Sequence, residues 1–406
     1  MANFVDKQDR ISQLQDELLV TILSLLNPVE AASTCVLSKR WQYLWTHVNV
    51  VNFYFPKIMM TEKIPEYFFA ERWKLREEYI DWVNGVIQSH QGPCITDFKI
   101  FFFLTGKKFS CDIEKWFSFA IRKSVQRLEV NLRGSTLVEE RLERNIDDLN
   151  MIFAHRFSEY KPYTLTDKVN SLIKSPLVAD PSLCLKFLEI SRCPRLKTID
   201  IYAPKLASLI CLGLNRSTQV LVRHAPSLVD LTVGHPERFF KALPANYFSQ
   251  LESVTLSFDF NWDTSTPALY PVLTNLKNLT FAGFAKEENS FLYWTSLIER
   301  SPLLRTFTLQ LMPPKRIRTQ IQTKPTERRL HRCLEVVKFV GNIDSELLVY
   351  FFQHAVALKT IIVDCRPLGL EPWQEFEEDK NSMELRNHAL ELKAQLFPKI
   401  DAVIRP

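Results

Sequence analysis

The sequence predicts an α+β chain: a small all-α N-terminal module of three short helices, then an α/β solenoid of repeats closed by a strand–helix–strand cap. Three observations carry that expectation. Apolar residues recur at helical spacing three times before residue 50, with breaks at Asn27-Pro28 and at Ser38. From residue 183 onward a short Leu-rich strand returns about every two dozen residues. The 406-residue length leaves room for two or three cores, while nine glycines fall far below the usual ~7% and weigh against Gly-rich phosphate loops.

The first helix is DELLVTILSLL, residues 16–26, where Leu18, Leu19, Ile22, Leu25 and Leu26 fit the spacing of one face. Asp16 and Glu17 suit the positive end of its dipole. Asn27 then caps a second helix, PVEAASTCVL, with Pro28 at a first position whose N–H needs no partner. Ser38 is the next cap candidate, and Trp41, Leu44, Trp45 and Val48 follow at i, i+3, i+4 and i+7. Three short helices cannot enclose that much leucine and tryptophan, so some of it must meet the rest of the chain or a partner.

The segment DRISQLQDELLVTILSLLNPVEAASTCVLSKRWQYLWTHVNVVNF, residues 9–53, resembles an F-box, in the form found in the large plant family that joins an F-box to leucine-rich repeats and an FBD region. Asp9, Arg10 and Ile11, the run Leu14, Asp16, Leu18 and Leu19, then Ile22-Leu23 and the closing Leu37-Ser38-Lys39-Arg40-Trp41 with Leu44-Trp45 carry the likeness. Gln15 departs from it, standing where the family usually has proline, which should loosen the lead-in to the first helix. The resemblance implies docking onto a Skp1-like adaptor, and through it onto cullin and RING subunits of a ubiquitin ligase. By position in the motif, the contacts expected with that partner are Leu14, Leu18, Ile22, Leu26, Val36, Leu37, Trp41 and Leu44. Lys39 and Arg40 are expected at the hydrated rim, and Trp45 as a tie to the repeats.

Residues 54–330 read as a divergent leucine-rich-repeat solenoid. Helix-then-strand appears twice, as WKLREEYIDWVNGVIQSH before DFKIFFFL and DIEKWFSFAIRKS before VQRLEVNLRG. Eight further strands are expected, centred near Leu188, Leu209, Leu231, Val254, Leu279, Phe307, Val337 and Ile361. Their intervals of roughly 21 to 30 residues are those of leucine-rich repeats, which bury their leucines only by stacking on neighbours. Cys193-Pro194, Ala203-Pro204 and Ala225-Pro226 mark turns between them. The charged segment VEERLERNIDDLN reads as a solvated helix. The wording HRCLEVVKFVGNIDSELLVYFFQHAVALKTIIVDC, residues 331–365, resembles the FBD region, so 331–406 is assigned to an FBD-like repeat and a last helix over 383–396. The helix within it, 345–357, aligns Leu347, Leu348, Phe351, Phe352 and Val356.

No HExxH, GxSxG, P-loop or GxGxxG motif occurs, and the eight histidines show no ligand spacing with one another or with cysteine. The eight cysteines sit mostly among Leu, Val and Ile and read as buried thiols of a reducing compartment, cytoplasm or nucleus. Catalytic residues, metal and cofactor are therefore expected to be absent. The net charge of +5 is modest, and the basic run 313–332 lacks aromatics for stacking, so neither nucleic acid nor membrane is an expected partner. The reading is a non-enzymatic substrate receptor of a Skp1-cullin-F-box ligase acting on a protein substrate that the sequence does not identify, at residues it does not single out. A ligand-dependent, hormone-receptor-like F-box protein and a repeat scaffold with a decayed F-box stay open as alternatives.

Overall fold

Asn27 and Pro28 divide the first apolar stretch, and the computed structural model shows how. It describes residues 10–54, 69–101, 110–132, 184–193, 198–214, 218–234, 236, 239–240, 243–258, 271–284, 295–312, 330–341, 345–364, 383, 386–387, 390–391 and 401–405. Asp9, the charged segment 138–150, most of the basic run, the acidic stretch 371–382, Cys365 and the side chain of Cys111 lie outside the described residues. The chain divides into two compact units, residues 1–205 with 213–219, and residues 206–212 with 220–406.

The first unit opens with helices α1 (Asp16–Leu23), α2 (Pro28–Ser33) and α3 (Trp41–Leu44), with 3-10 turns at Thr34–Val36 and Trp45–His47. A complete capping box starts α2. The Asn27 side chain accepts the N–H groups of Val29 (3.0 Å) and Glu30 (2.9 Å), and the Glu30 carboxylate accepts the Asn27 N–H (3.2 Å). Ser38 takes no capping role. Its carbonyl accepts the Trp41 N–H at 3.1 Å, and the residue before α3 is Arg40, without a side-chain cap.

Polar contacts that no sequence pattern signals join this module to the first repeat. The Ser24 hydroxyl donates to the Val20 carbonyl (2.8 Å) and accepts the Asn49 N–H (3.0 Å). The Thr46 carbonyl accepts the N–H groups of Gln91 (2.8 Å) and Gly92 (3.2 Å), and His90 Nε2 lies 2.9 Å from the Val48 carbonyl. Trp45, expected as the tie, is half-buried and donates its indole N–H to the nearby Gln42 carbonyl at 3.1 Å.

Strands β1 (Val50–Tyr54), β2 (Asp97–Phe101), β3 (Arg127–Asn131) and β4 (Phe187–Ser191) pair in parallel, each with its neighbour in sequence. Their register aligns Val51, Phe98, Leu128 and Leu188 in one buried column and Phe53, Ile100, Val130 and Ile190 in the next. Helices α4 (Phe69–Ser89) and α5 (Ser110–Arg122) belong to the same unit and contribute the buried Tyr79, Val83, Trp116 and Ala120. Their buried polar tips are matched: the Tyr79 hydroxyl donates to the Phe53 carbonyl (2.9 Å), and the Trp116 indole to Asn84 Oδ1 (2.8 Å). On the opposite sheet face Lys99 pairs with Glu129 (2.9 Å), Arg127 pairs with Asp97 (3.4 Å), and the Arg127 guanidinium lies 3.9 Å from the centre of the Phe187 ring. A further strand, β5 (Thr198–Tyr202), was not expected.

In the second unit β6 (Ser208–Leu212) pairs with β8 (Asp230–Gly234), and the parallel order continues through β9 (Ser253–Phe258), β10 (Asn278–Phe284), β11 (Thr306–Met312), β12 (Val336–Val340), β13 (Thr360–Asp364) and β14 (Asp401–Arg405). β7 (Gln219–His224) follows β6 in the chain. The expected strand centres fall in a single register column: Leu209, Leu231, Val254, Leu279, Phe307, Val337 and Ile361 lie side by side and are all buried. Strands β6, β8, β9, β10, β11 and β12 are entered in the same way. The carbonyl of the residue before it accepts two successive N–H groups from the next repeat, as Val229 does from Glu252 (2.8 Å) and Ser253 (3.1 Å), and Lys277 from Arg305 (2.9 Å) and Thr306 (3.0 Å).

Helices α6 (Ala245–Phe248), α7 (Thr295–Glu299) and α8 (Ser345–His354) also lie in this unit. In α8, Leu347, Leu348 and Phe351 are buried and Phe352 is exposed; the helix ends at His354, so Val356, expected on the same face, lies beyond it and is exposed. Helical backbone is present at Met383, Arg386, Asn387, Leu390 and Glu391, all exposed, and β14, which was not expected, follows.

Candidate docking face

In α1 the apolar set read from the sequence as one face splits in two. Leu19 and Leu23 are buried, while Leu18 and Ile22 point to solvent with Leu25 one turn further on. The interior of the three-helix module consists of Leu19, Leu23, Pro28, Ala31, Trp41, Leu44 and Val48. Trp41 and Leu44 retain only 9% and 7% exposure, so their expected place at a partner contact is corrected to the inside of the module. The physical reason is economy of core. With four residues in α3, these are the two large side chains that can close the space between the helices.

The other expected contact residues are accessible. Leu18, Ile22, Leu26, Val36 and Leu37 are exposed, and Leu14 is half-buried. The structure adds Ile11, Leu25, Val29 and Tyr43 to the exposed apolar set, with Leu25 and Val36 the barest at 83% each. Isolated exposed leucines are ordinary; nine large apolar groups exposed within residues 11–43 are not. Leu18 and Ile22 stand at i and i+4 on α1, with Leu25 just past its end and Val29 in α2. Their exposed side was not separated in the sequence from the inward side of the interleaved Leu19 and Leu23.

Arg40, expected at the hydrated rim, is exposed and tied back to the chain: Nε donates to Asp16 Oδ1 at 2.7 Å, one terminal nitrogen donates to the Ser12 carbonyl at 2.8 Å, and the other to the Leu14 carbonyl. Lys39 beside it is exposed.

Elsewhere the described residues offer little chemistry. The Cys193 thiol is buried and pushed up to about 12 by desolvation, with its Sγ 3.3 Å from the Ser191 carbonyl, which makes it a poor nucleophile. Cys211 is buried as well, but Cys35 and Cys94 are exposed and Cys184 and Cys333 half-buried, so the uniform burial expected of the thiols does not hold. His331 lines a cleft with Glu299, Ser301, Leu304, Arg332 and Cys333, and its Nε2 lies 2.5 Å from the Tyr350 hydroxyl. Among the described residues no group of three or more His, Cys, Asp or Glu is placed to hold a metal ion.

Comparison with known proteins gives this geometry its context. The F-box domain family matches residues 11–53, and the family described as "At1g61320/AtMIF1, LRR domain" matches residues 181–395, more than half of the chain. The chain belongs to the plant F-box/leucine-rich-repeat/FBD family. An F-box/FBD/LRR-repeat protein of Arabidopsis thaliana is 24% identical over 89% of this chain and 93% of its own length. Two putative FBD-associated F-box proteins of the same plant are 30% and 26% identical, over 33% and 58% of this chain. The chain spans 31% and 56% of the length of those two. The exposed apolar set therefore lies within the F-box match, and the register column of the second unit within the leucine-rich-repeat match.

Proposed function

We propose that the chain is the substrate-recognition subunit of a Skp1-cullin-F-box ubiquitin ligase, non-catalytic itself, its F-box docking on a Skp1-like adaptor and its repeats holding a protein substrate. The carrying observation is the outward face of the F-box: Leu18, Ile22, Leu25 and Val29 exposed beside a core that Leu19, Leu23, Trp41 and Leu44 already fill. Burial of such a face in a partner's groove contributes about 25 cal/mol per Å2 of apolar surface removed from water. Through the adaptor, cullin and RING subunits bring a charged ubiquitin-conjugating enzyme to the substrate lysine. Proximity raises the effective concentration of that lysine, and no residue of this chain touches the reacting bond. The cytoplasm or nucleus is the compartment that suits this role.

A hormone-receptor-like pocket asks for a cluster of cations on the strands. At the strand centres facing away from the core the second unit carries Thr232, Thr255, Thr280, Thr308 and Lys338 in register, which does not favour that reading.

The test is direct binding of the full chain to a purified Skp1-type adaptor from Arabidopsis thaliana. Leu18→Asp combined with Leu25→Asp should lower affinity at least 100-fold while leaving the far-ultraviolet circular dichroism and melting temperature close to wild type. A wild-type chain that does not bind, or a double variant that binds equally well, sinks the proposal.

A further inference from the structure

We infer that Arg40 is a positioning residue for docking: its guanidinium straps residues 11–16 into one arrangement, supplying the stiffness that a proline at position 15 would otherwise give. The inference rests on the docking reading of the exposed F-box face. Three acceptors converge on this one side chain from a segment 24 to 28 residues earlier in the chain: the Asp16 carboxylate, the Ser12 carbonyl and the Leu14 carbonyl. Two of the three are backbone groups, so what Arg40 fixes is the path of the chain, which an ordinary surface ion pair does not do.

That path carries part of the docking face. Residues 11–14 form a turn closed by the Leu14 N–H to the Ile11 carbonyl at 3.1 Å, with Ile11 exposed and Leu14 half-buried. Gln15 follows with φ −67° and ψ 154°, and its carbonyl accepts the first N–H groups of α1, from Leu18 and Leu19, at 3.1 Å each. Its side chain makes no cap. The φ angle is the one proline imposes, so the backbone already has the shape that proline would lock, and Arg40 holds it there from outside. A segment ordered before binding loses less conformational entropy on docking than one that must be ordered by the partner.

The experiment uses the full chain, a purified Skp1-type adaptor from Arabidopsis thaliana, and amide hydrogen exchange. Arg40→Ala should speed exchange at the Leu14, Leu18 and Leu19 amides in the absence of adaptor and weaken adaptor binding on the order of tenfold, the cost of ordering about one residue of backbone. The melting temperature should move little, because the strap lies on the surface. Adding Gln15→Pro to Arg40→Ala should restore both slow exchange and affinity. Unchanged exchange in Arg40→Ala overturns the inference. So does a loss of affinity that Gln15→Pro does not repair, which would make Arg40 a direct partner contact. If the wild type fails to bind adaptor, the docking reading falls with it, and the exchange measurement separately decides whether Arg40 orders the segment.

Discussion

Asn27 does two jobs at one corner of the F-box. Its side chain satisfies two N–H groups of α2, and its own N–H is satisfied in return by Glu30, so three otherwise unpaired donors are matched by two residues. Asn27→Ala should cost about 1 kcal/mol in urea unfolding, and Asn27→Asp, which keeps the acceptor, much less. The cysteines differ from one another for an equally local reason. Cys193 and Cys211 are buried in the repeats, whereas Cys35 and Cys94 are exposed. Brief treatment of the folded chain with iodoacetamide at pH 8 should modify Cys35 and Cys94 and spare Cys193 and Cys211 in peptide mass spectra. Labelling of all four at one rate would contradict this packing.

The elements explain what was legible in the sequence. Strand centres could be named because each repeat supplies a Leu, Val, Ile or Phe to the same buried column, and a side chain in that column is specified wherever one sheet face is covered. Phe307 sits in the middle of it, its ring 5.2 Å from that of Phe281 and 4.9 Å from that of Phe351. Phe307→Ala should lower stability by about 3–5 kcal/mol in denaturant unfolding. Removing the exposed pair Lys277–Glu252, 2.8 Å apart in neighbouring repeats, should show a coupling of no more than about 1 kcal/mol in a double-mutant cycle. Strands β1, β5, β7 and β14 were not read, because Val50–Tyr54, Thr198–Tyr202, Gln219–His224 and Asp401–Arg405 each fall outside the leucine wording that marked the others. The exposed apolar side of the F-box was separated from its core only in part. Helical spacing identifies which residues are apolar but not which of two faces is inward, and in a module this small Leu18 and Leu19 take opposite roles. Trp41 was misplaced for the same reason: size and hydrophobicity suit a core and an interface equally.

At the scale of the whole molecule, each compact unit contains a buried histidine held neutral, and both make stability fall on the acid side. In the first unit His90 directs Nε2 to the Val48 carbonyl at 2.9 Å and leaves Nδ1 buried without a partner. Burial, together with the positive charge of nearby Lys123 and of His47, holds its pKa below the usual histidine value despite the Val48 carbonyl. In the second unit burial, reinforced by His354, lowers His331 to about 4; Tyr350 lies between them in the packing, its hydroxyl on His331 and its ring stacked on His354 at 4.7 Å. At these two histidines the folded chain therefore binds fewer protons than the unfolded chain between about pH 6.5 and pH 4, and their contribution to stability rises with pH across that interval. It is fully present above pH 6.5 and is lost as pH falls toward 4. For His331 the loss amounts to about 3 kcal/mol, since each pH unit separating the folded and unfolded values corresponds to about 1.4 kcal/mol. Urea unfolding at pH 7.5, 5.5 and 4.5 should show the decline, and His331→Gln should flatten it by removing the titrating group while keeping a polar partner for Tyr350. A profile equally steep in His331→Gln would assign the acid sensitivity elsewhere, with His90, at the seam between the F-box and the first repeat, the next position to substitute.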